Sequence, residues 1–432
     1  MYGLALSKVV NDKEIARLRE RPVTGRCSTS TVMSGKHIII IGGGIIGCTT
    51  AYYLTRHPSS SSITLIEASK HGPGQGASGK AGGLVAKWAY PKEIVDVSFE
   101  EHVKLAKEHN GKERWGWRYV NCGSWEGRGE VLLSGEQTTR NKSLEKSLGL
   151  PGGGKPTQTH KFKKGLPADL TWVKKDLTNA YTPMATDGAT AQVHPYQFTT
   201  SMFELAKAKG LNYVNGRVTQ ISQEKGKVTG IQYLDQETQE TKTICATQVI
   251  LSAGAWSPRI LADLPIDATR AHSITIHPKD GVSISPYVLF TEISDPLSGT
   301  SSSPEIYARP DNEVYACGPG DDCSLPDSVD DVVVDQAACH LIHKHVSSIS
   351  KELREGEIDK QQACFLPVVC NGGGPIIDEA TSIARGLFIG TGHTCWVRTR
   401  FRPRVKRTNS DLACFGLTFN RGSRTDLVPR KP

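Results

Sequence analysis

The segment from Lys36 to Ser69 constrains this chain more than any other. A run of four isoleucines, Ile38 to Ile41, leads directly into Gly42-Gly43-Gly44-Ile45-Ile46-Gly47, and Glu67 closes the next apolar run 20 residues after Gly47. A continuous apolar run ended by glycine reads as a buried parallel strand. The glycine turn then opens a helix over Ile45–Arg56, stopped at His57-Pro58, and Ile63–Glu67 returns as the second strand. In such a βαβ unit each part has a chemical reason. Gly42 permits the tight turn, Gly44 lets backbone approach a pyrophosphate, and Gly47 lets the helix pack on the strand. The helix start offers N–H groups and the positive end of its dipole to phosphates. Glu67, followed by Ala68 and Ser69, accepts hydrogen bonds from ribose hydroxyls.

A chain of 432 residues exceeds one ordinary core and suits two connected domains. Its longest apolar run, Ile38 to Cys48, is interrupted by glycines and too short to span a bilayer. Eleven cysteines carry no Cys-x-x-Cys pair, and no histidine cluster has metal-ligand spacing, so neither a disulfide framework nor a metal site is expected. A reducing, cytoplasmic setting is the expectation. The net charge of +8 is concentrated: residues 397–432 hold ten Lys/Arg against two acids, an excess equal to the whole net charge. The remainder is balanced and carries no nucleic-acid footprint.

Residues 1–35 read as an N-terminal extension, of which the first 32 are an added segment or an upstream start-site artefact. From about Pro91 to Thr190 the pattern is irregular, with Leu150–Pro156 a flexible connector. Pro195–Lys209 reads as a helix, and Asn212–Ile221 and Gln248–Ala253 as strands rejoining the first sheet. Short β-like segments dominate from Ile266 to about Cys370, broken by a polar helix near Val332–Arg354. The only other glycine triplets, Gly152–Gly154 and Gly372–Gly374, lie in loops, so no second dinucleotide unit is expected.

The fingerprint alone does not separate FAD from NAD. Four further blocks do: Gly76-Ala-Ser-Gly-Lys-Ala-Gly-Gly-Leu84; Val193-His-Pro195 with Val218; Val249-Ile-Leu-Ser-Ala-Gly-Ala-Trp-Ser-Pro258; and Gly386-Leu-Phe-Ile-Gly-Thr-Gly-His-Thr-Cys-Trp396. With these the chain resembles the D-amino-acid oxidase and glycine oxidase superfamily of FAD-dependent oxidoreductases, most of all its uncharacterised fungal and plant members. The resemblance implies an α/β fold, with a Rossmann-like FAD-binding domain on a mostly parallel sheet and a β-rich substrate domain. The FAD domain is assembled from 36–90, 191–262 and 380–396, the substrate domain from 91–190 and 263–379. The resemblance adds Ala77, Ser78, Ala81, Gly82, Gly83, Val218, Ala253, Gly254, Trp256, Gly390 and Gly392 to the FAD-binding residues. The small residues of the second block let a flat ring lie against backbone.

What the resemblance implies chemically is oxidation of a C–N bond of a small amine or amino acid by hydride transfer to flavin, with oxygen as a common acceptor. The family's carboxylate-holding arginine falls here on Leu366, an apolar residue unable to form the bidentate pair. Arg309, in Tyr307-Ala-Arg-Pro310, and His393, in the flavin-proximal turn, are the candidate catalytic residues. Trp88, Tyr90 and Trp396 are candidate pocket walls, and the Cys317/Cys323 and Cys364/Cys370 pairs read as buried free thiols. After Trp396 the family's terminal helix is replaced by Val397–Arg407, basic and without amphipathic period, which points to a reading-frame shift or retained intron. The rival reading is a basic tail for an anionic surface. Leu366 and this tail also support a second function, a catalytically weak flavoprotein-fold protein that binds a partner, for example in trafficking.

Overall fold

The isoleucine run becomes the centre of a sheet because it has apolar strands on both sides, helices over Ile38 and Ile40, and the strand residues Val228, Ile231 and Tyr233 over Ile39 and Ile41. The computed structural model describes residues 35–58, 61–89, 92–131, 165–370 and 375–394. Strand β1 (Lys36–Ile41) is followed by helix α1 (Ile45–Leu54) and β2 (Ser61–Glu67). The chain continues through β3 (Leu84–Ala86), α2 (Lys92–Glu108), β4 (Arg118–Tyr119), β5 (Asn121–Arg128), β6 (Thr178–Pro183) and β7 (Thr190–Gln192). Then come α3 (Pro195–Lys207), β8 (Asn212–Glu224), β9 (Lys227–Asp235), β10 (Thr241–Cys245) and β11 (Gln248–Leu251). The last part holds β12 (Ile266–His277), β13 (Tyr287–Ser294), β14 (Ser301–Ser302), β15 (Glu305–Ala308), β16 (Val314–Asp321), α4 (Gln336–Ser347), β17 (Glu357–Val369), β18 (Ile376–Glu379) and β19 (Leu387–Thr391).

Two large sheets organise these strands. The first runs β10-β9-β8-β2-β1-β11-β19-β18. Its core is parallel, with Ile40 opposite both Leu65 and Ile250, and β9, β10 and β18 join antiparallel. The second runs β17-β12-β16-β15-β13-β5-β6, antiparallel except where β13 meets β5. A small sheet, β3-β7-β4, holds the segment after Gly83 in place. Helix α1 is apolar on every side and almost wholly buried. It packs with α3 through Cys48, Ala51, Phe198 and Met202. The second sheet buries Ile274, Ile306 and Ala316 under α4. The fold class expected from sequence is therefore observed, and no helix among the described residues is long and apolar enough to cross a membrane.

Two expectations change. The segment read as irregular after Pro91 contains the 17-residue helix α2. Its inward stripe is Val95, Phe99, His102, Leu105 and Ala106, all buried. The helical spacing was present, but charged residues dilute it and lower the mean hydropathy. The polar helix starts later than expected, at Gln336, where the Asp335 carboxylate accepts from the Ala337 N–H at 2.9 Å and the Ala338 N–H at 3.3 Å. It ends at Ser347, and a separate turn covers Lys351–Arg354. The N-terminal 32 residues, Leu150–Pro156, Tyr90, Gly372–Gly374, Trp396 and the basic tail lie outside the described residues.

Candidate active site

The β1–α1 turn is shaped by contacts that only glycine permits. Gly42 has φ of +102°, and a Cβ on Gly47 would lie 1.9 Å from the Gly42 carbonyl oxygen. Helix α1 thus touches the turn only because position 47 has no side chain. The helix begins without a side-chain cap on its own N-cap residue. Instead the Ile45 N–H donates to Ser78 Oγ at 2.9 Å. First-turn N–H groups have no intrahelical partner, and this helix end borders a cavity of about 490 Å³.

Many of the residues singled out in the sequence meet on that cavity. Gly42, Gly44, Ile46, Glu67, Ala68, Ala77, Ser78, Val218, Ala253, Gly254, Trp256, Gly390 and His393 all line it. Ile45, Gly47 and Ser69 are not among the lining residues; Gly47 packs on the Gly42 carbonyl, and the Ser69 hydroxyl donates to Asp330 Oδ1 at 2.5 Å. Glu67 stands at the end of β2, with Oε2 accepting from the Gly43 N–H at 2.5 Å and Oε1 from the Ser69 N–H at 2.8 Å. Burial raises its pKa, and these two N–H bonds, with a third from Ala68, oppose the rise.

The second block divides. Ala77 and Ser78 are on the wall, whereas Ala81, Gly82 and Gly83 are not among the lining residues. A Cβ on Gly82 would lie 2.7 Å from the Tyr307 ring, and Gly83 accepts through its carbonyl from the Val193 N–H at 2.9 Å. Smallness there admits a protein ring. Gly392 is likewise spent on packing, since a Cβ there would lie 2.7 Å from Val369 Cγ2.

Arg309 is buried beneath this segment. Nη1 donates to Glu313 Oε1 at 2.6 Å, Nη2 to the Ala81 carbonyl and Nε to the Gly82 carbonyl at 3.3 Å. It ties the second sheet to the 81–83 loop and is absent from the cavity wall. His393 is on the wall, buried, with Nε2 lacking a partner. Burial takes its pKa down to about 4, so the ring is neutral near pH 7. Trp88 donates from Nε1 to Thr190 Oγ1 at 3.0 Å and is not a lining residue. Leu366 is buried against Ala77, Ala271 and Cys364, while its neighbours Phe365 and Pro367 line the cavity. Cys317, Cys323, Cys364 and Cys370 are free thiols, as expected, but only Cys317 and Cys364 are buried, whereas Cys323 and Cys370 are exposed.

Other lining residues had no sequence signal. The Leu325–Asp331 segment comes from the loop after β16 and crosses to the first sheet. Trp256 Nε1 donates to the Pro326 carbonyl at 2.9 Å, Arg259 pairs with Asp327, and the Lys70 N–H donates to Asp330 Oδ2 at 2.9 Å. Asp327, Ser328 and Val329 therefore form one side of the cavity. Among the described residues one group of possible metal ligands, His277, Glu313 and Asp359, also comes together. Lys360 Nζ lies 3.0 Å from Asp359 and 4.0 Å from Glu313, so a protein cation already faces these acids.

The arrangement suits a dinucleotide: a glycine turn, a helix end whose first N–H is met only by Ser78, a carboxylate at the end of the second strand, and an apolar far end holding one unpartnered imidazole nitrogen. Known proteins agree. TDA3 of Saccharomyces cerevisiae is 32% identical over 84% of this chain and 88% of its own length. An oxidoreductase-named relative in Schizosaccharomyces pombe is 28% identical over 84% and 90%. The fold is shared with iminodiacetate oxidase from Chelativorans sp. BNC1, at a TM-score of 0.61 and 20% identity over 84% of this chain and 91% of that one. It is shared also with glycine oxidase from Geobacillus kaustophilus, at 0.60 and 15% over 84% and 91%. The family model for the DAO FAD dependent oxidoreductases matches residues 37–397, and the chain belongs to that family, as a flavoprotein fold built for FAD.

Proposed function

We propose that this protein oxidises a C–N bond of a small amine or amino-acid-like substrate, with FAD accepting the hydride and oxygen reoxidising it. The observation that carries the reading is a single cavity joining the fingerprint turn of the first sheet to Phe365 and Pro367 of the second. A cofactor held by its phosphates at one end is thereby presented to the second sheet at the other. The iminodiacetate and glycine oxidases of the same fold support an amine-type substrate.

In this reading, residues 36–90, 191–262 and 380–396 form the FAD domain, and 91–190 with 263–379 the substrate domain. Gly42 to Gly47 and the α1 N-terminus hold the pyrophosphate, and Glu67 takes the adenosine ribose. Flavin supplies the redox step. Neutral His393 offers Nε2 as a hydrogen-bonding group at the buried end, and Phe365 and Pro367 keep water from it. Arg309 positions the 81–83 loop through the two carbonyls it binds.

The test is direct. Purified protein should show the flavin absorbance bands, and one or more members of an anaerobic panel of amines and amino acids should bleach them. Air should then restore the bands with release of peroxide. A stably bound flavin that no panel member reduces would overturn the oxidase reading and leave the partner-binding one.

A further inference from the structure

The face of the second sheet that carries Tyr307 also carries a carboxylate with an unmet need. Glu305 opens β15, opposite Phe290 on β13 and Cys317 on β16. It is 5% exposed. Its Oε2 accepts from the Tyr307 hydroxyl at 2.6 Å and faces Cys317 Sγ at 3.8 Å, while Oε1 is buried without a hydrogen-bond partner. Leaving a charged oxygen buried and unpaired is costly unless a cation reaches it or it is neutralised.

The cations nearby are committed elsewhere. Arg309 is bound to Glu313 and two carbonyls, Arg118 donates to the Ala308 carbonyl at 2.8 Å, and Lys80 donates to the Ala363 carbonyl at 3.0 Å. Leu366 brings no charge. The face therefore has a spare acceptor at Glu305 Oε1, while the guanidiniums nearby hold Glu313 and backbone carbonyls, with Arg118 Nε alone lacking a partner. Its lining is aromatic: Tyr307 lies edge-on to Phe290 at 6.4 Å and to Tyr315 at 5.6 Å, and Trp88 to Phe290 at 6.0 Å. Aromatic faces around a carboxylate favour an organic cation. The position is also apt. The Tyr307 ring rests on Gly82, in the loop that continues from the Ala77–Ser78 wall of the cavity.

We propose that Glu305, flanked by Tyr307 and Phe290, recognises the positively charged nitrogen of the substrate, so that the substrate class is a cationic amine. This rests on the amine-oxidation reading and names its specificity-determining residue. Entry requires the Tyr307 ring to turn off Gly82, a side-chain movement.

The test uses the full-length protein loaded with FAD, whose visible spectrum reports ligands placed near the flavin. Tetramethylammonium and n-butylammonium are titrated anaerobically, against butyrate and n-butanol as anionic and neutral probes of similar size. The cations should perturb the flavin saturably, with n-butylammonium binding about tenfold or more tighter than n-butanol, the scale of a hydrogen bond to a charged group. Glu305→Gln keeps the shape and an acceptor for Tyr307, and should lose that preference while retaining flavin. The comparison of probes on the unaltered protein stands even where the variant does not fold. Butyrate binding in place of the cations, or an undiminished preference in E305Q, would overturn the proposal. Cations that bind without any amine ever bleaching the flavin would sink the oxidase reading alone, and protein without flavin bands would sink both.

Discussion

Arg309 is the residue on which the structural and catalytic readings diverge most, and Arg309→Leu separates them. The guanidinium is 3% exposed and its partner Glu313 9%. Breaking a buried pair by removing one partner costs about 3–5 kcal/mol, because the other charge is left uncompensated. Here Glu313 keeps two weaker neighbours, His194 Nε2 and Lys360 Nζ, each at 4.0 Å, which argues for the lower end. The Ala81 and Gly82 carbonyls also lose donors, at about 1 kcal/mol each. A total of about 5 kcal/mol corresponds to a fall of roughly 10 °C in Tm, taking about 2 °C per kcal/mol for a chain of this size. Scanning fluorimetry of FAD-saturated protein reads it. The double variant Arg309→Met with Glu313→Leu should recover most of the loss, since a buried pair replaced whole by apolar residues costs little. An unchanged Tm in R309L, with substrate bleaching of the flavin abolished, would refute the reasoning and make Arg309 a substrate ligand.

The other predictions concern the cofactor and acid. Gly44→Val should give colourless protein, because its side chain enters the cavity beside Ser78, where even a Cβ comes within 3.0 Å of Oγ; a yellow, stable variant would contradict the cradle. Glu67→Gln should weaken FAD by about 1–3 kcal/mol in a titration of apoprotein, the range for hydrogen bonds to a charged group, and equal affinity would remove Glu67 from the site. Asp330→Ala unpins the strap from Ser69 and Lys70, and should speed flavin loss into the filtrate several-fold at unchanged absorbance; an unaltered rate would show that the strap does not retain it. Burial lowers the pKa of His345 and of His393 to about 4. The unfolded chain therefore binds protons that the fold excludes, and stability is lost as pH falls from about 6.5 toward 4, by about 3 kcal/mol per histidine. His393→Gln should flatten that fall in Tm, and an identical pH profile would mean that His393 protonates freely in the fold.

Local physics made part of this protein legible in its sequence. The isoleucine strand, the glycine turn and Glu67 are set by short-range rules, and the structure puts them within a residue or two of where those rules place them. The burial of α2 was harder to see because its charged residues dilute a stripe that only the first sheet's surroundings make an inner face. The roles of the small residues were not local at all. Ala77 and Gly82 look equivalent in one run, yet one lines the cavity and the other receives the Tyr307 ring, a difference decided by a strand more than two hundred residues away. The same is true of Arg309, whose partners belong to distant loops, and of the Leu325–Asp331 strap, which has no motif because its function is to be near residues 69 and 259. Sequence fixes which groups a chain can offer to a cofactor. Only tertiary packing decides which of them stay open to it and which are consumed holding the two sheets together.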